Sequence, residues 1–194
     1  MNIANKLTLA RILMIPVFIL LLSLPLDWGQ VSWLGAVIPV HQLAAGIIFA
    51  VASFTDYLDG YLARKYDLVS SFGAFADPMA DKLLVLAAFI MLVAADTVPA
   101  WVAIIIISRE LLVTGLRVLL AQHDGKVMAA AMPGKIKTFS QMFSIIFYLV
   151  NDAGFVLLNI PMADILLYIC LFFTIYSGID YFYQGRFVFQ DQTV

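Results

Sequence analysis

Two apolar runs in this chain, Leu43 to Phe54 and Leu83 to Ala95, are each too short to cross a bilayer, and each can lengthen only through carboxylates. At about 1.5 Å per helical residue the first run reaches about 18 Å, against a hydrocarbon core of about 30 Å. The helix that carries it must therefore continue through Asp56 and Asp59 to Arg64 and Lys65. The helix that carries the second run must begin early enough to include Asp77 and Asp81. An ionised carboxylate at membrane depth costs about 3 kcal/mol or more unless something compensates it. Four of them at helical spacing imply a cation or a water-filled cavity.

The bilayer is required by composition. Hydrophobic residues make up 63% of the chain and charged residues 12%, with a mean hydropathy of +0.99, whereas soluble domains are nearer half apolar. Apolar blocks separated by short polar breaks predict an all-α polytopic membrane protein rather than a barrel. The expectation is one domain, residues 1–194, with six transmembrane helices behind a short N-terminal interfacial segment, Met1 to Lys6. The spans are expected at Thr8 to Leu24 with a bend at Pro16, from His41 through Lys65, from the Asp77 region to Ala95, and at about Ala100 to Ala121, Ile136 to Leu158 and Ala163 to Gln184. Residues 25–40 and 122–134 read as loops. Trp28 and Trp33 suit the headgroup level. Ser23 to Trp28 offers no small-residue cleavage site, so the first span reads as a retained helix and not a signal peptide.

The formal net charge of −2 says little about partners, and nothing points to nucleic acid; the placement of the basic residues says more. None of the 11 lysines and arginines falls in residues 25–40, 95–100 or 159–162, so those loops are expected to face outward. The acid-bearing helix ends and both termini then face the cytoplasm of a plasma-membrane protein. The one cysteine, Cys170, excludes an intramolecular disulfide and reads as a small apolar packing residue. His41 and His123 fall at span edges, Asp67 and Asp124 in loops, and Asp152 and Asp180 within spans without an evident task.

Asp56, Asp59, Gly60, Ala63 and Arg64 share one helical stripe, and Gly73, Asp77 and Asp81 share another. Gly60 and Ala63 remove bulk where a ligand or a helix approaches, and Pro78 can begin or bend a turn beside Asp77. Hard divalent cations take such oxygen ligands, and a two-metal cluster is a common means of processing a phosphoryl group. A divalent-cation transporter would use intramembrane acids too. Simple pairing with Arg64, Lys65 and Lys82 leaves an excess of anions.

The pattern D-x-x-D-G-x-x-A-R, followed after eight residues by G-x-x-x-D-x-x-x-D, resembles the signature of the CDP-alcohol phosphotransferase family at every fixed position: Asp56, Asp59, Gly60, Ala63, Arg64, Gly73, Asp77 and Asp81. The resemblance implies a membrane enzyme that splits a CDP-linked donor, hands its phosphate-bearing half to an alcohol and releases CMP. It implies that Asp56, Asp59, Asp77 and Asp81 hold two Mg²⁺ or Mn²⁺ ions, and that Asp81 is also the general base. It further implies that Asn5, Thr8, Gly60, Ala63, Arg64, Ser70 and Gly73 contact the CDP portion of the donor, and that the enzyme is a homodimer.

Three further stretches resemble the phosphatidylglycerophosphate-forming branch of that family: Asn2 to Arg11, Ser108 to Arg117, and Gly134 to Gln141. Ala4 stands where that branch usually has proline. The implied donor is CDP-diacylglycerol and the implied acceptor is sn-glycerol 3-phosphate, with phosphatidylglycerol or inositol phosphate as the acceptors of sister enzymes. A phosphorylated acceptor needs cations, for which Arg109, Arg117, Lys135 and Lys137 are the candidates. The plainer readings are positive-inside bias for the lysines and pairing with Glu110 for the arginines.

Overall fold

The computed structural model describes residues 3–66, 71–123 and 132–186; the side chains at 3–5, 56–66, 71–78, 81 and 121–123 lie outside the description. Among the described residues six α-helices follow one another: α1 (Ile3–Ser23), α2 (Val40–Tyr66), α3 (Ser71–Ala94), α4 (Ala100–His123), α5 (Met132–Leu149) and α6 (Met162–Gln184). The second and third helices extend through the carboxylate positions as their apolar lengths require. Residues 6–23 and α6 are long and apolar enough to cross a membrane. The separate interfacial segment expected at the N-terminus is continuous with α1 from Ile3 onward.

The side chains are sorted in a way that suits lipid. On α1, Leu9, Leu13, Val17 and Leu20 are exposed, while Thr8, Arg11, Ile15 and Phe18 are buried on the opposite stripe. On α6 the buried stripe runs through Ala163, Leu167, Cys170, Thr174, Ser177 and Tyr181, and bulky Phe172, Ile175, Tyr176 and Ile179 point outward. Small and polar residues let membrane helices approach closely, and large apolar ones meet acyl chains without penalty. Cys170 is a free, buried thiol beside the Thr174 hydroxyl, in keeping with a packing role.

The chain forms two compact units. The first comprises residues 1–97 and 145–163, the second 98–144 and 164–194.

In the first unit, residues 25–40 are more than the loop expected from their Pro and Gly content. Strands β1 (Gln30–Trp33) and β2 (Ala36–Pro39) pair antiparallel around Leu34 and Gly35. Both turn residues have positive φ, 48° and 84°, the geometry of a tight two-residue hairpin. Gly35 suits its positive φ, and a Cβ there would stand 2.6 Å from Leu157 Cδ2, so that exposed side chain would have to move. The hairpin is tied to the segment after α5: Gly154 N–H donates to Leu34 O at 2.9 Å and Asn151 Nδ2 to Val37 O at 2.9 Å. Gln42 Nε2 donates to Asn151 Oδ1 at 2.9 Å.

The fifth helix ends at Leu149, short of the expected Leu158. Asn151, Asp152 and Gly154 take positive φ and break it, and only a 3₁₀ turn at Val156–Leu158 follows. This places Asp152 in a turn, where its Oδ1 accepts from Ala163 N–H at 2.8 Å and satisfies an orphan donor in the first turn of α6. Asp152→Ala should lower stability by about 1 kcal/mol, read as a fall in the thermal midpoint of the protein in detergent; an unchanged midpoint would contradict the capping role. Asp180, the other acid without a task, accepts a hydrogen bond from Gln184 Nε2 at 2.8 Å, one turn on along α6.

Candidate active site

Residues named from the sequence occur in each compact unit. In the first unit, α1 packs against both α2 and α3. Phe18 and Phe49 meet with ring centroids 6.1 Å apart. Ser23 Oγ lies 3.7 Å from Met91 Sδ, and Ile12 and Ile19 line one apolar groove with Leu83 and Ile90. These pairs fix the register: α3 runs parallel to α1, and α2, joined to α3 through residues 67–70 alone, runs antiparallel to both.

Positions 56 and 59 lie in the C-terminal part of α2, and 77 and 81 in α3 ahead of its apolar run. Stepping seven residues back from Phe18 and seven forward from Phe49 reaches Arg11 and Asp56, a travel of about 10 Å on each helix. The parallel pairs on α3 carry Arg11 to the level of Asp81. The side chains of Asn5, Asp56, Asp59, Gly60, Ala63, Arg64, Gly73, Asp77 and Asp81 lie outside the described residues, and Ser70 does so entirely. Thr8 is described and is fully buried, at 0% exposure.

The chemistry of the donor set fits hard divalent cations. The residue type at positions 56, 59, 77 and 81, aspartate on two neighbouring helices, is the oxygen donor that such cations take.

In the second unit, three helices build a polar network in an otherwise apolar interior. Lys137 on α5 is 4% exposed and donates to Glu110 Oε1 on α4. Arg109 Nη1 reaches the same oxygen at 3.2 Å, while its Nη2 donates to Ser177 Oγ on α6 at 2.8 Å. Gly178 makes that approach possible, since a Cβ there would sit 3.2 Å from Arg109 Cγ. Arg117 Nη2 donates to Tyr181 Oη at 2.6 Å, and its guanidinium lies 5.1 Å from the centre of the Tyr181 ring. Lys135 is exposed in the first turn of α5.

Among the described residues one carboxylate thus faces two cations, Lys137 buried and Arg109 partly buried, and the local balance is positive. Among the described residues of this unit, two buried donors also have no acceptor: Arg109 Nε and Gln141 Nε2, the latter one turn beyond Lys137. Buried donors without acceptors are uncommon and suit a site that receives an anion. The expected pairing of Glu110 is met by Arg109 and Lys137, whereas Arg117 turns to Tyr181. Gln141, Ser177 and Tyr181 were not singled out from the sequence as parts of this network, because a lone glutamine or tyrosine in a span carries no distinguishing spacing. Glu110→Gln should leave Lys137 without a counter-charge and cost about 2 kcal/mol, a value reduced for the partial exposure of Glu110. A thermal midpoint equal to that of the parent protein would show that the network adds nothing to stability.

Residues 1–176 match the family described as CDP-alcohol phosphatidyltransferase. A protein of Bacillus subtilis (strain 168) is 51% identical over 181 residues, 93% of each chain, and is named CDP-diacylglycerol–glycerol-3-phosphate 3-phosphatidyltransferase. One of Rickettsia typhi (strain ATCC VR-144 / Wilmington), with the same name, is 42% identical over 183 residues, 93% of this chain and 95% of its own. A Mycobacterium tuberculosis (strain CDC 1551 / Oshkosh) protein named probable phosphatidylglycerophosphate synthase is 38% identical over 183 residues, 93% of this chain and 79% of its own.

Proposed function

Because the chain belongs to the CDP-alcohol phosphatidyltransferase family, we propose that it transfers the phosphatidyl group of CDP-diacylglycerol to sn-glycerol 3-phosphate, giving phosphatidylglycerophosphate and CMP. The observation that carries this reading is the 51% identity to an enzyme named for that reaction across 93% of both chains. The family match runs through both compact units, which supports a single catalytic domain over residues 1–194.

Asp56, Asp59, Asp77 and Asp81 would hold two divalent cations, Mg²⁺ or Mn²⁺. Bound there, the cations offset the diphosphate's charge and stabilise the oxygens on which charge develops. Asp81 removes the proton from the acceptor hydroxyl; the new bond forms between that oxygen and the lipid-bearing phosphorus as the bond to CMP breaks. Asn5, Thr8, Gly60, Ala63, Arg64, Ser70 and Gly73 bind the CDP portion. Arg109, Arg117, Lys135 and Lys137 bind the acceptor phosphate, a role supported by the cation excess around Glu110 and the unmatched donors on Arg109 and Gln141.

The protein is read as six membrane-spanning helices in the plasma membrane, with its site and both termini on the cytoplasmic side, acting as a homodimer. The test is incubation of the purified protein with CDP-diacylglycerol and, separately, glycerol 3-phosphate, phosphatidylglycerol and inositol phosphate, followed by lipid and CMP analysis. CMP release with glycerol 3-phosphate alone is expected. Product with another acceptor would assign a sister activity, and divalent-metal flux into liposomes without CMP release would assign a transporter.

A further inference from the structure

Arg11 is the largest of the fully buried side chains, at 1% exposure, and Thr8, one turn before it, is at 0%. An arginine stays charged under all ordinary conditions, so its burial in a membrane helix requires anionic or strongly polar surroundings. Its own helix offers no acid, because α1 contains neither Asp nor Glu. Among the described residues α1 packs on α2 and α3, and the acids of those two helices are Asp56, Asp59, Asp77 and Asp81. The register described above brings Arg11 level with two of these, Asp56 and Asp81. The other basic residues of the three helices are placed differently: Lys6 is exposed, Lys82 is half-buried, and Arg64 and Lys65 lie near the end of α2.

We propose that Arg11 is a positioning residue, the fixed cation that α1 contributes to the carboxylate site at the level of Asp56 and Asp81, offsetting the site's charge when no metal is bound. The proposal rests on the reading of those acids as cation ligands. Without metal the carboxylates repel one another, and Arg11 relieves part of that repulsion. With two divalent cations bound, that repulsion is already neutralised and Arg11 opposes the metals' charge. Arg11 therefore stabilises the metal-free site and weakens metal binding. Its removal should harm the metal-free protein most and tighten its hold on metal.

The experiment compares the wild type, Arg11→Gln and Arg11→Lys at pH 8 in detergent, reading Mn²⁺ affinity by electron paramagnetic resonance and the thermal midpoint in EDTA and in saturating Mn²⁺. For Arg11→Gln, Mn²⁺ should bind about fivefold tighter or more, and most of the loss in midpoint seen in EDTA should disappear in Mn²⁺. Arg11→Lys should stay near the wild type on both readouts. Equal losses with and without Mn²⁺ and an unchanged affinity would overturn the proposal and leave Arg11 as packing. A wild type that neither binds Mn²⁺ nor is stabilised by it would remove the carboxylate reading first, and this proposal with it. If Arg11→Gln does not assemble, a folded Arg11→Lys supports the role of charge, and an equally unfolded one overturns it.

Discussion

Asp81→Asn is expected to lower CMP release by about a thousandfold or more while leaving the fold in place. Asparagine keeps the size and planarity of aspartate, so α3 and its packing on α1 are undisturbed. It cannot accept the acceptor's hydroxyl proton as that oxygen attacks phosphorus, and its neutral carbonyl is a poor substitute for a carboxylate beside a divalent cation. Both losses act on the transition state, so turnover should fall much more than the Michaelis constant for either substrate rises. The measurement is CMP release with CDP-diacylglycerol and glycerol 3-phosphate, alongside a thermal midpoint close to the parent's. Turnover within about tenfold of wild type would remove Asp81 as the base.

Removal of divalent cations should abolish the activity altogether, and Mg²⁺ or Mn²⁺ should restore it where monovalent salts do not. The donor's diphosphate must otherwise approach four carboxylates, and each unscreened pair of like charges about 4 Å apart costs about 4 kcal/mol at the effective dielectric of a partly buried site. Arg11, Arg64 and Lys82 are too few to reverse that sum. Initial rates after treatment with EDTA, followed by titration of each metal, read the effect directly. Activity that persists in a strong chelator would reject the two-cation arrangement.

The lengths of α2 and α3 were legible because a simple shortfall, an apolar run about 12 Å too short for the bilayer core, forces each helix through its acids. The bounds of α6 were legible for a different reason, a full-length apolar block set between polar breaks. The hairpin at residues 30–39 was not, since strands this short between Pro25, Gly29 and Pro39 show no alternation long enough to outweigh their turn residues. The end of α5 was missed because non-glycine residues, Asn151 and Asp152, adopt the left-handed conformation there, and composition gives no sign of it.

The carboxylate signature and the cations Arg109, Arg117, Lys135 and Lys137 could be picked out from residue type and spacing alone. Their partners could not. Arg117 and Tyr181 lie 64 residues apart, and only the packing of α4 against α6 brings them to 2.6 Å. Arg11 reads from the sequence as an ordinary basic flank before an apolar run. Its burial becomes visible only when α2 and α3 close over it.

The sorting of side chains on α6 has a consequence for which changes the protein tolerates. Leucine, isoleucine and phenylalanine should be interchangeable at Phe172, Ile175 and Ile179, where lipid places no demand on shape. At Gly178 an added methyl group would stand 3.2 Å from Arg109 Cγ, so the arginine that reaches Ser177 would have to shift. Evolutionary drift on this helix is therefore limited on its outer side by oiliness and on its inner side by volume; a protein that folds in water shares the inner limit but asks for polarity outside.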